Sequence, residues 1–214
     1  MTLSEDAQAL WETATALARR PSAVSPGGAA LPPLLFFTDP VRTPRPWETA
    51  ERLPEGAGVV YRAFGAPDAR EIGHRLRRAT RAAGVRLLVG FDADLAQDLE
   101  ADGLHLPERA LTSAYALSGR RPDWLLTGAV HSSAAMRLGR DVHALVLSPV
   151  FPAGGASAQK PSLGLEEFAA IAGTAGRPVY ALGGITPDNA AQLMATPACG
   201  LAGVDAIQRA FGPN

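Results

Sequence analysis

Cysteine is almost missing from this chain: Cys199 is the single one in 214 residues. No intrachain disulfide framework can form, and a reducing compartment suits such a sequence. Excess charge is missing too. Twenty Lys and Arg stand against 21 Asp and Glu, a formal net charge of -1. General attraction to nucleic acid or to an acidic membrane surface is therefore not expected. No apolar run approaches the roughly 20 residues that cross a bilayer. The opening "MTLSEDAQAL" is acidic and lacks the basic-then-apolar order of a signal peptide. Together these absences predict a soluble, cytoplasmic protein that binds neither nucleic acid nor membrane.

What is present is ordinary for a globular chain, with 47% hydrophobic and 19% charged residues. The length suits one domain with a sizeable core. "SEDAQALWETATALARR" spaces Leu10, Trp11, Ala14 and Leu17 as one helix face, with Ser4 as N-cap. "PSAVSPGGAALPP" then reads as a Pro/Gly-rich linker. Residues 1–32 are thus expected to form an N-terminal helix and linker, and 33–214 the main domain.

From there, short apolar runs alternate with helical patterns. The runs fall at 34–38, 58–63, 85–90, 103–106, 124–130, 143–148, 178–183 and 200–204. They are apolar on both faces, as buried parallel strands are. About eight strand–helix units predict an α/β fold, a parallel eight-stranded (β/α)8 TIM barrel with an extra N-terminal helix across its bottom or side. An open doubly wound sheet is the alternative.

Chemistry in such barrels sits at the C-terminal ends of the strands. That position alone selects Thr38, Asp39, Arg62, Phe91, Asp92, His105, His131, Ser148, Gly183, Gly184 and Asp205. In "YALGGITPDN", two glycines separate a strand from a helix start. Thr186 as N-cap and Pro187 at the first helical position explain the turn and one glycine. A phosphate approaching backbone N–H donors after strands seven and eight would explain both. The Gly/Ala/Ser segment 148–164 carries one cation, Lys160, which a closing loop could bring to a phosphate. His74 lies in the basic stretch "HRLRRATR" and is expected on a solvated helix face, with Cys199 buried and inert.

The ordered set "TDP", "ADGLHL", "HSSAAMRLGRDVHALVLSPVFP", the lysine loop ending in "LGLEEF", and "ALGGITPDNAAQLM" resembles the thiamine phosphate synthase and thiazole tautomerase family over roughly residues 33–212. The resemblance implies a (β/α)8 barrel and small phosphorylated thiazole and pyrimidine substrates, and leaves a homodimer open. It implies a synthase that joins thiazole phosphate to hydroxymethylpyrimidine pyrophosphate with Mg2+, or a metal-free tautomerase acting by proton transfer.

Position by position, the resemblance is uneven. The synthases' Q-x-R-x-K stretch reads Val60-Tyr61-Arg62-Ala63-Phe64, which keeps only the arginine. The Asn-Asp pair, whose aspartate holds Mg2+, matches Gly90-Phe91, with Asp92 adjacent. The second metal aspartate matches the stretch Pro107-Glu108-Arg109-Ala110, where Glu108 is the nearest carboxylate. His131 and Ser132 match the histidine segment, Lys160 the pyrophosphate-loop lysine, and Gly183 and Gly184 the phosphate glycines. Asp205 stands where the family has a phosphate-turn serine; a carboxylate there repels phosphate unless it turns away and caps the helix instead.

The expected catalytic residues are therefore His131, Arg62 and Lys160. Phosphate binding is expected from Gly183, Gly184, Ser132, Ser148 and Asp205. Any Mg2+ site would have to be relocated to Asp92 and Glu108. Three activities fit: a synthase with degenerate Mg2+ sites, a metal-free tautomerase-like enzyme using His131, or a non-catalytic phosphomonoester-binding protein.

Overall fold

The strands of the structure are short, buried along most of their length, and end in loops at the barrel rim. A computed structural model describes residues 3–154 and 161–213. Its strands are β1 (Leu34–Phe37), β2 (Gly58–Tyr61), β3 (Arg86–Gly90), β4 (Gly103–Leu106), β5 (Leu125–Val130), β6 (Ala144–Leu147), β7 (Val179–Leu182) and β8 (Gly200–Gly203). All pair in parallel and in sequence order, and β8 returns to β1 to close the barrel. The open-sheet alternative is excluded by that closure.

Alternation along each strand makes two apolar layers. Leu35, Phe37, Val60, Leu88, Leu125, Val146 and Tyr180 fill the interior. Their neighbours Leu34, Phe36, Val59, Leu87, Leu126 and Leu145 face the helices. The helices are α1 (Glu5–Ala18), α2 (Pro46–Ala50), α3 (Ala69–Ala82), α4 (Ala93–Asp98), α5 (Ala114–Arg120), α6 (Ser133–Met136), α7 (Gly164–Gly173), α8 (Pro187–Ala190) and α9 (Asp205–Phe211).

Helix α1 starts at Ser4, whose Oγ accepts the Ala7 amide at 3.2 Å. Ala7, Leu10, Ala14 and Leu17 are buried, and the helix packs on the side of the barrel against β8, α8 and α9. The segment 21–32 is more than a linker. Ala23, Ala29 and Leu31 pack against the barrel interior. The Pro32 carbonyl accepts from the Tyr180 hydroxyl at 2.6 Å, so this segment seals the bottom. The chemistry is thereby confined to the opposite, C-terminal mouth.

Candidate active site

Two adjoining cavities open at that mouth. The larger, about 820 Å3, lies over β2 to β5 and is lined by Arg62, Phe64, Phe91, Arg109, His131 and Ser148 among others. The smaller, about 330 Å3, lies over β7, β8 and β1, beside Arg42, Gly183, Gly184, Asp205 and Arg209. Arg62, Phe64, Ser148 and Leu182 line both, so the two cavities meet there.

Arg62 leaves the end of β2 and is braced before any ligand arrives. Its Nε donates to the Thr38 carbonyl at 2.7 Å, and its guanidinium lies 5.4 Å from the Phe37 ring and 5.3 Å from the Phe64 ring. Asp39 Oδ2 is 3.9 Å away. Burial lowers the Arg62 pKa from its ordinary value, with Asp39 opposing that shift. The group stays cationic, because guanidinium pKa values are so high. A braced guanidinium between two cavities can face an anion from either side.

His131 begins the loop after β5. Its Nδ1 lies 2.9 Å from the Ser148 carbonyl and 3.2 Å from Ser148 Oγ. A carbonyl only accepts, so Nδ1 carries the proton in the neutral ring and Nε2 is the basic nitrogen. Ser148, expected to bind phosphate, thus orients the histidine. Ser132 caps α6, its hydroxyl accepting the Ala135 amide at 3.4 Å.

His105 projects from β4 into the barrel. It is fully buried, bonded to Thr127 Oγ1 at 2.9 Å and edge-on to Phe37 at 4.9 Å. Burial, aided by Arg62, pushes its pKa down to about 3. It is a neutral polar member of the core wall. His74 lies on the surface, 3.3 Å from Asp98. Cys199 is buried, and burial pushes its thiol pKa up, as an inert core residue requires. Lys160 lies outside the described residues.

Gly183 and Gly184 both take positive φ, 104° and 65°. A Cβ on Gly183 would sit 2.7 Å from Pro149 Cβ, and one on Gly184 2.4 Å from the Pro152 carbonyl oxygen. Both glycines are therefore required by the loop after β6, which pairs with this turn through Phe151 N–H to the Gly183 carbonyl at 3.0 Å. Thr186 and Pro187 begin α8 as expected, and Asn189 Oδ1 accepts the Thr186 amide at 2.8 Å. The amides of Gly184 and Ile185 meet no acceptor among the described residues, and both residues line the smaller cavity.

Asp205 does not cap α9 with its side chain. It accepts Arg42 Nε at 2.8 Å and a second bond from Arg42 Nη2. That hydrogen bond is the main cause of the raised Arg42 pKa. Arg42 is placed by Asp39, whose Oδ1 accepts the Val41 and Arg42 amides at 3.1 Å each. The "TDP" stretch thus folds the loop that neutralises Asp205. Sequence reasoning missed Arg42 because its partner comes from the far end of the chain.

Mg2+ needs hard oxygen donors in near-octahedral array. Asp92 Oδ1 instead caps α4, accepting the Leu95 amide at 2.8 Å. Glu108 Oε2 accepts the His131 amide at 2.8 Å. Among the described residues, no three His, Cys, Asp or Glu side chains converge on one point. The donor set does not fit a preformed Mg2+ site. No helix is long and apolar enough to cross a membrane among the described residues.

Fold and site together define a (β/α)8 barrel with a braced arginine and an oriented histidine at its C-terminal mouth. Residues 46–207 match the family model for thiamine monophosphate synthase, and the chain belongs to that family. It is 34% identical over 147 residues to a thiamine-phosphate synthase of Haloquadratum walsbyi, covering 67% of this chain and 66% of that one. A thiamine-phosphate synthase of Haloarcula marismortui is 31% identical over 172 residues, covering 77% and 82%. Among solved structures, thiamine phosphate pyrophosphorylase from Pyrococcus furiosus superposes with a TM-score of 0.67 at 25% identity, covering 83% of this chain and 91% of that one.

Proposed function

We propose that this chain is a cytoplasmic enzyme of thiamine biosynthesis that joins thiazole phosphate to hydroxymethylpyrimidine pyrophosphate, releasing pyrophosphate. The observation that carries the reading is the pair of cavities meeting at Arg62 and Ser148. Two substrates need two seats that share a reacting edge, since holding both in one geometry removes much of the entropic barrier.

The smaller cavity suits the thiazole phosphate. The Gly184 and Ile185 amides and Arg62 offer donors there, while Arg42 offsets the Asp205 carboxylate. The larger cavity suits the pyrimidine. Negative charge grows on the departing pyrophosphate, so positive groups aimed at it lower the barrier. Arg62 and Arg109 are the arginines that line this cavity.

One observation favours a second reading, a metal-free tautomerase-like reaction on a thiazole phosphate. His131 is oriented through Nδ1, which leaves Nε2 as a base, and among the described residues no three His, Cys, Asp or Glu side chains preform a metal site. A purely phosphomonoester-binding protein would need neither feature.

The test is genetic. A bacterial strain lacking its own thiamine phosphate synthase, supplied with this chain, grows without thiamine if the synthase reading holds. Growth only on added thiamine, with the chain expressed and folded, counts against it.

A further inference from the structure

Three non-glycine residues with left-handed backbone are found among the described residues, and two are phenylalanines that line the larger cavity: Phe64 at φ 50° and Phe91 at φ 56°. Bulky side chains are seldom held there, and such strain gathers where a ligand is gripped. Both rings are exposed, at 70% and 51%. Aromatic rings normally gain their stability by burial. Among the described residues, neither ring is buried by its neighbours.

Each ring carries an arginine. The guanidinium of Arg62 lies 5.3 Å from the Phe64 centroid, and that of Arg109 lies 5.0 Å from the Phe91 centroid. The two phenylalanines follow the neighbouring strands β2 and β3. Gly90, just before Phe91, makes room for this arrangement, because a Cβ there would come within 3.2 Å of Arg62 Cγ. These are also the positions where the family resemblance expects a lysine, a metal-holding aspartate and its asparagine neighbour. At those positions this chain has two arginine-backed aromatic faces.

We propose that Phe64 and Phe91 are the specificity-determining residues of the larger cavity. Their open faces take a flat heteroaromatic ring, and Arg62 and Arg109 hold that ligand's phosphate or pyrophosphate group without a divalent cation. The ligand class is a planar heteroaromatic phosphate ester. Only the identity of the ring rests on the synthase reading above.

The test is calorimetric titration of the full chain in EDTA. The ring-bearing probes are hydroxymethylpyrimidine pyrophosphate and adenosine monophosphate; the ringless probes are inorganic pyrophosphate and phosphate. At least one ring-bearing probe binds about tenfold tighter than its ringless counterpart, the order of one aromatic stacking contact. The Phe64→Asn, Phe91→Asn double variant erases that margin. Asparagine tolerates left-handed backbone better than phenylalanine, so this variant keeps the fold. Arg109→Met weakens both kinds of probe. Mg2+ in place of EDTA leaves the wild-type margin unchanged.

Thiamine phosphate formation by a double variant that keeps its margin overturns the platform and spares the synthase reading. A margin seen only with adenosine monophosphate, and lost in the double variant, upholds the platform and removes the synthase reading. Equal affinity for ring-bearing and ringless probes, no binding of any ring-bearing probe, or binding that requires Mg2+ overturns the proposal.

Discussion

Arg42 and Asp205 meet through two hydrogen bonds across 163 positions of sequence. The pair ties the loop after β1 to the start of α9, across the β1–β8 seam that closes the barrel. It also sets the charge of the proposed phosphate seat, because a carboxylate at a helix start would otherwise repel an anion.

Removing Arg42 should therefore harm phosphate binding more than stability. Arg42→Ala is expected to raise the Kd for thiazole phosphate about tenfold. Adding Asp205→Ser should restore most of the loss. Both side chains are partly exposed, at 28% and 38%, so the coupling energy in a double-mutant cycle on folding should be only about 1 kcal/mol. Calorimetric titration and urea unfolding of the four proteins check both parts.

The diglycine turn makes a different prediction. Gly184→Ala brings a Cβ to 2.4 Å from the Pro152 carbonyl oxygen at a φ of 65°. We expect about 2 kcal/mol of destabilisation. Urea unfolding should show a lower midpoint at unchanged slope. A wild-type midpoint would mean that the two loops are not locked together.

His131 tests the chemistry. On the tautomerase-like reading, His131→Asn should lower kcat about 100-fold, the scale of a lost general base, while the Kd for thiazole phosphate stays within about twofold. An unchanged kcat would remove His131 from the reaction and leave its bond to Ser148 a structural one.

His105 predicts a pH dependence of stability. Its folded pKa is pushed down to about 3, against about 6.5 when unfolded. Between those values the unfolded chain binds more protons than the native one, so stability falls as pH drops below about 6.5. Above that pH the contribution is fully present. Per pH unit the slope from this one group approaches about 1.4 kcal/mol. His105→Gln should flatten that slope in urea titrations from pH 7 to 4, while keeping a partner for Thr127 Oγ1.

The barrel was readable from sequence because fully buried parallel strands appear as short apolar runs, and the eight runs lie within two residues of the observed strands. The capping of α1 by Ser4 and of α8 by Thr186 was readable because caps act over three residues. The floor of the barrel was not. Ala23, Ala29 and Leu31 are small or isolated apolar residues among prolines and glycines, so a segment that packs partly buried against the barrel reads as a linker. Nor were the bond from Glu108 to the His131 amide and the Arg42–Asp205 pair, which join residues 23 and 163 apart. The left-handed backbone of Phe64 and Phe91 had no local signal either, since tertiary structure holds them against their own preference.

The central claim is tested most directly by product formation. Purified protein is incubated with thiazole phosphate and hydroxymethylpyrimidine pyrophosphate, and thiamine phosphate is followed as its fluorescent thiochrome. The account predicts product that requires both substrates and the enzyme. No thiochrome from protein shown to be folded, with or without Mg2+, would contradict it.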